Sequence, residues 1–275
     1  MASANHVHRA LTIAGSDSGG GAGLQADLKT FAALEVYGAS VVTAVTAQNT
    51  RRVTAVHEIP PDIVTAQIDA VMTDIGADAA KTGMLASARI VHAVADAVRR
   101  HQIDRLVVDP VMIAKSGDSL LRDDAVGAIR DVLLPVSYVV TPNIPEAEVL
   151  TGRPVTSEQG MAEAARAIHA MGVPVVVVKG GHLPGDAVDL VFDGRNVERL
   201  VTPRVDTPHT HGTGCTFSAA IAARLAAGWD VLDAVADAKQ YLFGALSHAF
   251  AVGAGHSPVH HFYRFWEPVA SLAAE

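Results

Sequence analysis

The feature that most constrains this chain is a set of strand-length segments with almost no polar face. Residues 173–178 are apolar throughout, and they follow an amphipathic helical pattern at 158–171. A strand without a polar side needs cover on both faces, which is the situation of a parallel strand between two helical layers. The same reading fits 11–15, the β-branched run at 40–48, 106–112 and 138–141. Between them lie helical patterns at 24–31, from Pro61 past Val71, at 87–101, 124–134 and 144–151. Alternation of this kind predicts an α/β protein, a three-layer αβα sandwich around a mostly parallel sheet.

One segment breaks the pattern. Residues 188–192 and 197–201 flank a turn at Asp193-Gly194, which predicts a small hairpin at one sheet edge. Two long Ala-rich helices follow, at 213–227 and 231–250. No linker, repeat or low-complexity stretch interrupts the 275 residues, so the expectation is a single domain over 1–275. In open α/β sheets the ligand sites lie at the carboxyl ends of the strands.

Composition excludes several classes. The formal charge of -8 and the lack of a Lys/Arg run argue against a nucleic-acid or anionic-membrane surface. The single cysteine rules out an intramolecular disulfide. No signal-peptide pattern opens the chain and no apolar stretch is long enough to span a bilayer, so a cytoplasmic location is expected.

Five segments carry candidate chemistry. The first, residues 15–23, is Gly-Ser-Asp-Ser-Gly-Gly-Gly-Ala-Gly between a strand and a helix. A dinucleotide fingerprint would need an acidic residue at the end of the next strand, where Gln48-Asn49 stands instead. The turn is then either a plain flexible connection or a backbone-lined pocket that a small ligand approaches closely. Asp27 shares a helix face with Leu24, Leu28 and Phe31, which leaves a helix-dipole role or a polar ligand contact. Asn143 and Glu146 have capping-box spacing, and they also stand at a strand's carboxyl end, where Mg²⁺ could bind largely through water with Asp109 as a further carboxylate.

His211-Gly212-Thr213-Gly214-Cys215-Thr216 opens a helix, and its glycines let backbone N–H groups face an anion. Without a Walker A sequence anywhere, this is a different kind of anion site. Cys215 is either a small buried hydrophobe or, in the first helical turn, a thiol with a lowered pKa that favours thiolate. Lys179, after the strand at 173–178, is either solvated or a phosphate contact. His256, His260 and His261 lack the companions of a metal site.

Taken together, these segments resemble the hydroxymethylpyrimidine/phosphomethylpyrimidine kinases of the ribokinase-like superfamily. The resemblance runs along nearly the whole chain. It includes Gly20 to Thr30, Thr46-Ala47-Gln48-Asn49-Thr50, Lys81-Thr82-Gly83-Met84-Leu85, Asp109-Pro110-Val111-Met112, Lys115-Ser116-Gly117, Thr141-Pro142-Asn143, Lys179-Gly180-Gly181-His182 and Pro258-Val259-His260-His261-Phe262. It implies a ribokinase-like fold and ATP-dependent phosphorylation of hydroxymethylpyrimidine, first to the monophosphate and then to the pyrophosphate, for thiamine biosynthesis.

The resemblance also implies roles. Gly15, Asp27, Gln48, Met84, Val111 and Cys215 would line the pyrimidine pocket, with Gln48 reading a ring nitrogen and the exocyclic amine. Asn143 and Glu146 match the superfamily's magnesium motif, and Lys179 would meet ATP phosphates with Thr141 nearby. Lys115 would lie on a mobile cover. The backbone of Gly212, Thr213, Gly214 and Cys215 would form the anion hole, with Cys215 accepting the substrate's proton. A homodimer is expected. Sugar kinases of the superfamily carry Asp where Cys215 stands, whereas a related group of pyridoxal kinases also has the cysteine. A pyridoxal kinase is therefore the alternative enzyme, and a non-catalytic pyrimidine sensor is the alternative outside enzymes. The tail His256-Ser257-Pro258 departs from the usual Gly-Pro without touching a catalytic role.

Overall fold

A computed structural model describes residues 6–112 and 123–266. Its strands are β1 (Arg9–Asp17), β2 (Tyr37–Gln48), β3 (Val53–Glu58), β4 (Ala79–Thr82), β5 (Leu106–Val108), β6 (Val139–Val140), β7 (Val175–Lys179), β8 (Ala187–Phe192) and β9 (Val197–Thr202). The helices are α1 (Gly23–Ala33), α2 (Pro61–Asp74), α3 (Ala88–Arg100), α4 (Asp123–Ala128), α5 (Ile144–Thr151), α6 (Glu158–His169), α7 (Thr213–Ala226) and α8 (Val231–Ser247). All nine strands join one sheet in the order β3-β2-β1-β4-β5-β6-β7-β8-β9. The six from β2 to β7 run parallel, β3 is antiparallel to β2, and β8 and β9 are antiparallel at the far edge.

Alternate strand residues feed two separate cores. Leu11, Ile13, Leu106, Val108 and Val176 pack with α2, α3, α5 and α6. Ala10, Val107, Val139, Val175 and Val177 face α1, α7 and α8. A period of two along strands buried on both faces builds the three layers expected from the apolar runs. The edge hairpin also stands where it was expected.

Three expectations need correction. β3 and β4 were not read from the sequence: β3 is an outer strand with mostly exposed residues, and Ala79-Ala80-Lys81-Thr82 has no β-branched run. The predicted strand at 106–112 ends at Val108, because Pro110 supplies no N–H for a ladder. The strand at 138–141 is likewise only two residues long before Pro142. Both stops turn the chain at the sheet's carboxyl edge and leave Asp109 and Asn143 there.

The sheet is pinned near its centre by an ion pair with no solvent contact. Lys81 Nζ on β4 donates to both carboxylate oxygens of Asp27 on α1, each at 3.0 Å. Thr12 Oγ1 on β1 donates to Asp27 Oδ2 at 2.6 Å. Burial alone would lower the Lys81 pKa, but the Asp27 carboxylate overrides it and holds Lys81 above its ordinary value. Lys81→Met leaves an unpaired buried carboxylate and is expected to cost about 3–5 kcal/mol in chemical unfolding. The double variant Lys81→Met/Asp27→Leu should recover most of that loss; a double variant as unstable as the single would contradict the account.

Candidate active site

The sheet order reverses direction beside β1, with β2 on one side and β4 on the other. Such a switch point opens a crevice at the carboxyl ends of the strands. A cavity of about 710 Å³ lies there. It is lined by Gly15 after the core of β1, Gln48 at the end of β2, Met84 after β4, Asp109 and Val111 after β5, Asn143 and Glu146 after β6, and Lys179 on β7. The N-terminus of α7, with Gly212, Thr213, Gly214 and Cys215, borders the same space.

The α7 turn can exist only with its glycines. Gly212 is the N-cap with φ of 78°, in the left-handed region, and a Cβ there would run into the carbonyl oxygen of Gly21. Gly214 has no such strain. A Cβ on it would stand 3.3 Å from Lys179 Nζ and 3.4 Å from Asp109 Oδ2, so bare backbone is what faces those two charges. The first turn of α7 has N–H groups without helical partners, and Lys179 stands beside them; that combination attracts an anion.

Lys179 Nζ donates to Asp109 Oδ1 at 3.0 Å. Thr141 Oγ1 lies 3.4 Å from the same oxygen. Among the described residues, Asp109 Oδ2 is buried with no hydrogen-bond partner. A buried carboxylate oxygen left open beside a cavity fits a cation or its bound water. Glu146 forms the capping box with Asn143: its Oε2 accepts from the Asn143 N–H at 2.8 Å, while Asn143 Oδ1 accepts from the Glu146 N–H at 2.9 Å. The capping alternative is therefore correct, and both residues line the cavity as well. Burial pushes Glu146 up to about 7, with Lys179 pulling it down and Asp109 pushing it further up. The donor set fits Mg²⁺, with Asp109 and Glu146 as its carboxylates and Asn143 beside them.

Several sequence expectations change here. Asp27 does not line the cavity; it is sealed beneath it by Lys81 and Thr12, because an unpaired carboxylate at that depth could not stay ionised. Thr141 is fully buried beneath Asp109 and does not line the cavity. Lys115 lies outside the described residues. Cys215 does line the cavity, but its pKa is not lowered. Burial pushes the thiol up to about 11, the Lys81 charge pulls down, and Asp27 and Asp109 push up. Desolvation is the largest of these effects, and it favours the thiol over the thiolate. His260 and His261 are buried; His261 Nε2 meets Thr216 Oγ1 at 3.1 Å, and burial drops its pKa to about 3.

Sequence reasoning missed Asp17, His211 and Lys81. Lys81 had a signal: a lysine in a short, otherwise apolar segment needs a buried partner, and Asp27 was the acid on a buried helix face. Asp17 and His211 had none, since they are 194 positions apart.

An anion-attracting helix N-terminus beside a lysine and a buried carboxylate, in one cavity at the carboxyl ends of the strands, is the arrangement of a phosphotransferase. The sequence model of the phosphomethylpyrimidine kinase family matches residues 17–260, and the chain belongs to that family. The hydroxymethylpyrimidine/phosphomethylpyrimidine kinase of Rhizobium meliloti (strain 1021) is 55% identical over 262 residues, 94% of this chain and 98% of its own length. The ADP complex of Bacillus subtilis pyridoxal kinase superposes with a TM-score of 0.88 at 40% identity, covering 94% of this chain and all 100% of that one. The phosphomethylpyrimidine kinase from Clostridium difficile 630 gives 0.78 at 42%, over 88% of this chain and 100% of that chain. The fold is accordingly ribokinase-like, as the motifs implied.

Glu146 yields a prediction with a definite sign. Its pKa is raised in the folded protein, so its contribution to stability is full below the unfolded value near 4.5 and is lost as pH rises through about 7. Glu146→Gln keeps a capping acceptor and removes the charge. In metal-free buffer its melting temperature should match the parent at pH 4 and exceed it at pH 8. A lower value at pH 8 would mean that the charged form stabilises the fold.

Proposed function

We propose that this chain phosphorylates 4-amino-5-hydroxymethyl-2-methylpyrimidine to its monophosphate, and the monophosphate to the pyrophosphate, with ATP and Mg²⁺ in thiamine biosynthesis. The observation that carries the reading is the pairing, in one cavity, of Gln48 at the acceptor end with the α7 N-terminus, Lys179 and the open Asp109 oxygen at the other. The Gln48 amide offers one donor and one acceptor side by side, which matches a ring nitrogen next to an exocyclic amine. The pyridoxal reading is supported by the Bacillus subtilis neighbour and its shared core. The higher identity to the pyrimidine kinase supports the pyrimidine.

In the first transfer the hydroxymethyl oxygen attacks the γ-phosphorus, the bond from phosphorus to the ADP oxygen breaks, and the hydroxyl proton passes to Cys215 Sγ in its thiolate form, which becomes the thiol. The Gly212 to Cys215 backbone and Lys179 stabilise the equatorial oxygens. Asp109 and Glu146 would hold a Mg²⁺ ion, which would supply positive charge to neutralise the transferring phosphate. Met84, Val111 and Gly15 form the apolar wall of the acceptor end. Removing an outer carboxylate weakens such an ion by roughly tenfold or more, so Glu146→Gln should raise the Mg²⁺ requirement by that factor. The working form is a homodimeric, cytoplasmic, single-domain kinase, carried over from the family resemblance; no helix of the described residues is long and apolar enough to cross a membrane.

With its pKa pushed up to about 11 by burial, Cys215 is mostly thiol at pH 7. The nucleophile of the second transfer is a phosphate monoester, whose second pKa is about 6, so it needs no base at neutral pH. The first transfer should therefore climb about tenfold per pH unit from 7 to 9, while the second stays flat. Cys215→Ala should lower the first by roughly 10²–10⁴-fold, abolish its slope, and leave the second within a few-fold. Equal loss of both, measured with each substrate supplied separately, would make Cys215 part of the anion cradle and not a base.

A further inference from the structure

The acceptor end holds a hydrogen-bond chain whose proton count is over-determined. Asp17 Oδ1 accepts from the Gly19 N–H at 2.7 Å, and Oδ2 accepts from Gly21 at 3.0 Å and Ala22 at 2.9 Å. Burial alone would raise the Asp17 pKa, but His211 and these loop donors hold it below the ordinary carboxylate value. Asp17 is therefore an acceptor only. His211 Nε2 lies 3.0 Å from Asp17 Oδ2, so that nitrogen must carry a proton. As placed, the Gln48 amide puts its nitrogen, Nε2, 3.4 Å from the same His211 nitrogen; a half-turn of the amide puts the oxygen there instead. A protonated Nε2 has no lone pair left, so it can approach only the amide oxygen of Gln48, not its nitrogen.

The other side of the amide gives the same answer. As placed, Thr46 Oγ1 lies 2.9 Å from the Ser16 carbonyl and 3.1 Å from Gln48 Oε1. A hydroxyl has one proton. The Ser16 carbonyl can only accept, so that proton goes there, and Thr46 Oγ1 is left to accept from the Gln48 amide nitrogen. Both neighbours thus favour the half-turned amide, opposite to its placement: oxygen toward His211, nitrogen toward Thr46. One N–H and one oxygen lone pair then remain for a ligand in the cavity, in a fixed order.

We infer that His211 is a positioning residue for substrate selection: its proton, pinned by Asp17, sets which way round Gln48 presents its donor and acceptor to the pyrimidine. The backbone supports this. His211 N–H donates to the Ser257 carbonyl at 3.1 Å, and any Cβ on Gly21 would strike the imidazole, so the ring has a single seat between the glycine turn and Pro258. Without that proton the amide is free to turn over, and a ligand with a ring nitrogen beside an amine loses its matched partner. The inference rests on the proposal that Gln48 reads the substrate.

The test is a steady-state comparison with hydroxymethylpyrimidine and ATP on the parent and on Gln48→Leu, His211→Phe, His211→Asn, His211→Gln and the double variant Gln48→Leu/His211→Phe. Phe keeps the ring shape without an N–H. Asn is too short to reach Asp17 and fits without crowding. Gln reaches with an N–H. Gln48→Leu should raise the pyrimidine KM by about tenfold or more. His211→Phe and His211→Asn should each raise it about tenfold, with kcat and the ATP KM little changed, and His211→Gln should stay near the parent. The double variant should be no worse than Gln48→Leu alone, because His211 acts through Gln48. The inference is overturned if His211→Asn leaves the pyrimidine KM unchanged while Gln48→Leu raises it, if His211→Gln is as impaired as His211→Asn, or if the double variant multiplies the two single losses. An unchanged KM for Gln48→Leu would instead remove the proposal on which the inference rests.

Discussion

The Asp27–Lys81 pair is the contact on which the site depends. It joins α1 to β4, and through Thr12 to β1, at the point where the sheet changes direction. Both side chains are fully out of solvent. An ion pair at that depth adds little net stability, but removing one partner is severe. It therefore fixes geometry more than it adds stability. α1 begins at Gly23, directly after the glycine turn, and β4 leads straight to Gly83 and Met84. Holding α1 against β4 sets the distance between the two walls of the acceptor end. Its charge also reaches the catalytic turn, since the Lys81 ammonium pulls the Cys215 thiol down while Asp27 pushes it up.

Around that centre the cavity separates two tasks. In the proposed mechanism the α7 N-terminus, Lys179 and Asp109 manage charge on a phosphoryl group, with parts that hardly depend on what is phosphorylated. In the same proposal the acceptor end manages identity through Gln48, with Asp17 and His211 behind it. His211 and Gly212 are adjacent in sequence, so the same short turn orients the reader and opens the anion cradle. A thiol at Cys215, in place of a ready carboxylate, makes proton removal the demanding step for an alcohol and an irrelevant one for a phosphate.

Much of this was legible in the sequence because it rests on local rules. The both-faces-apolar runs predicted the layers, the turn at Asp193-Gly194 predicted the edge hairpin, and the glycines before Cys215 predicted a helix N-terminus open to an anion. The failures come from long-range geometry. Asp27 was placed on a buried face correctly but assigned to the ligand, since nothing local reveals that Lys81 lies across from it. The Cys215 pKa was read from its helical position, whereas the surrounding low-dielectric volume decides it. Thr141 follows the same logic, being next to the right strand end but one layer too deep. Asp17 and His211 meet only after the chain has crossed the sheet.

The measurement that bears most directly on the account is a side-by-side determination of kcat/KM with ATP and Mg²⁺ for hydroxymethylpyrimidine, its monophosphate, pyridoxal and ribose. The account predicts the highest values for the two pyrimidines, a lower one for pyridoxal, which shares the catalytic end but not the ring edge that Gln48 matches, and the least for ribose. A higher value for pyridoxal or ribose than for hydroxymethylpyrimidine would contradict it.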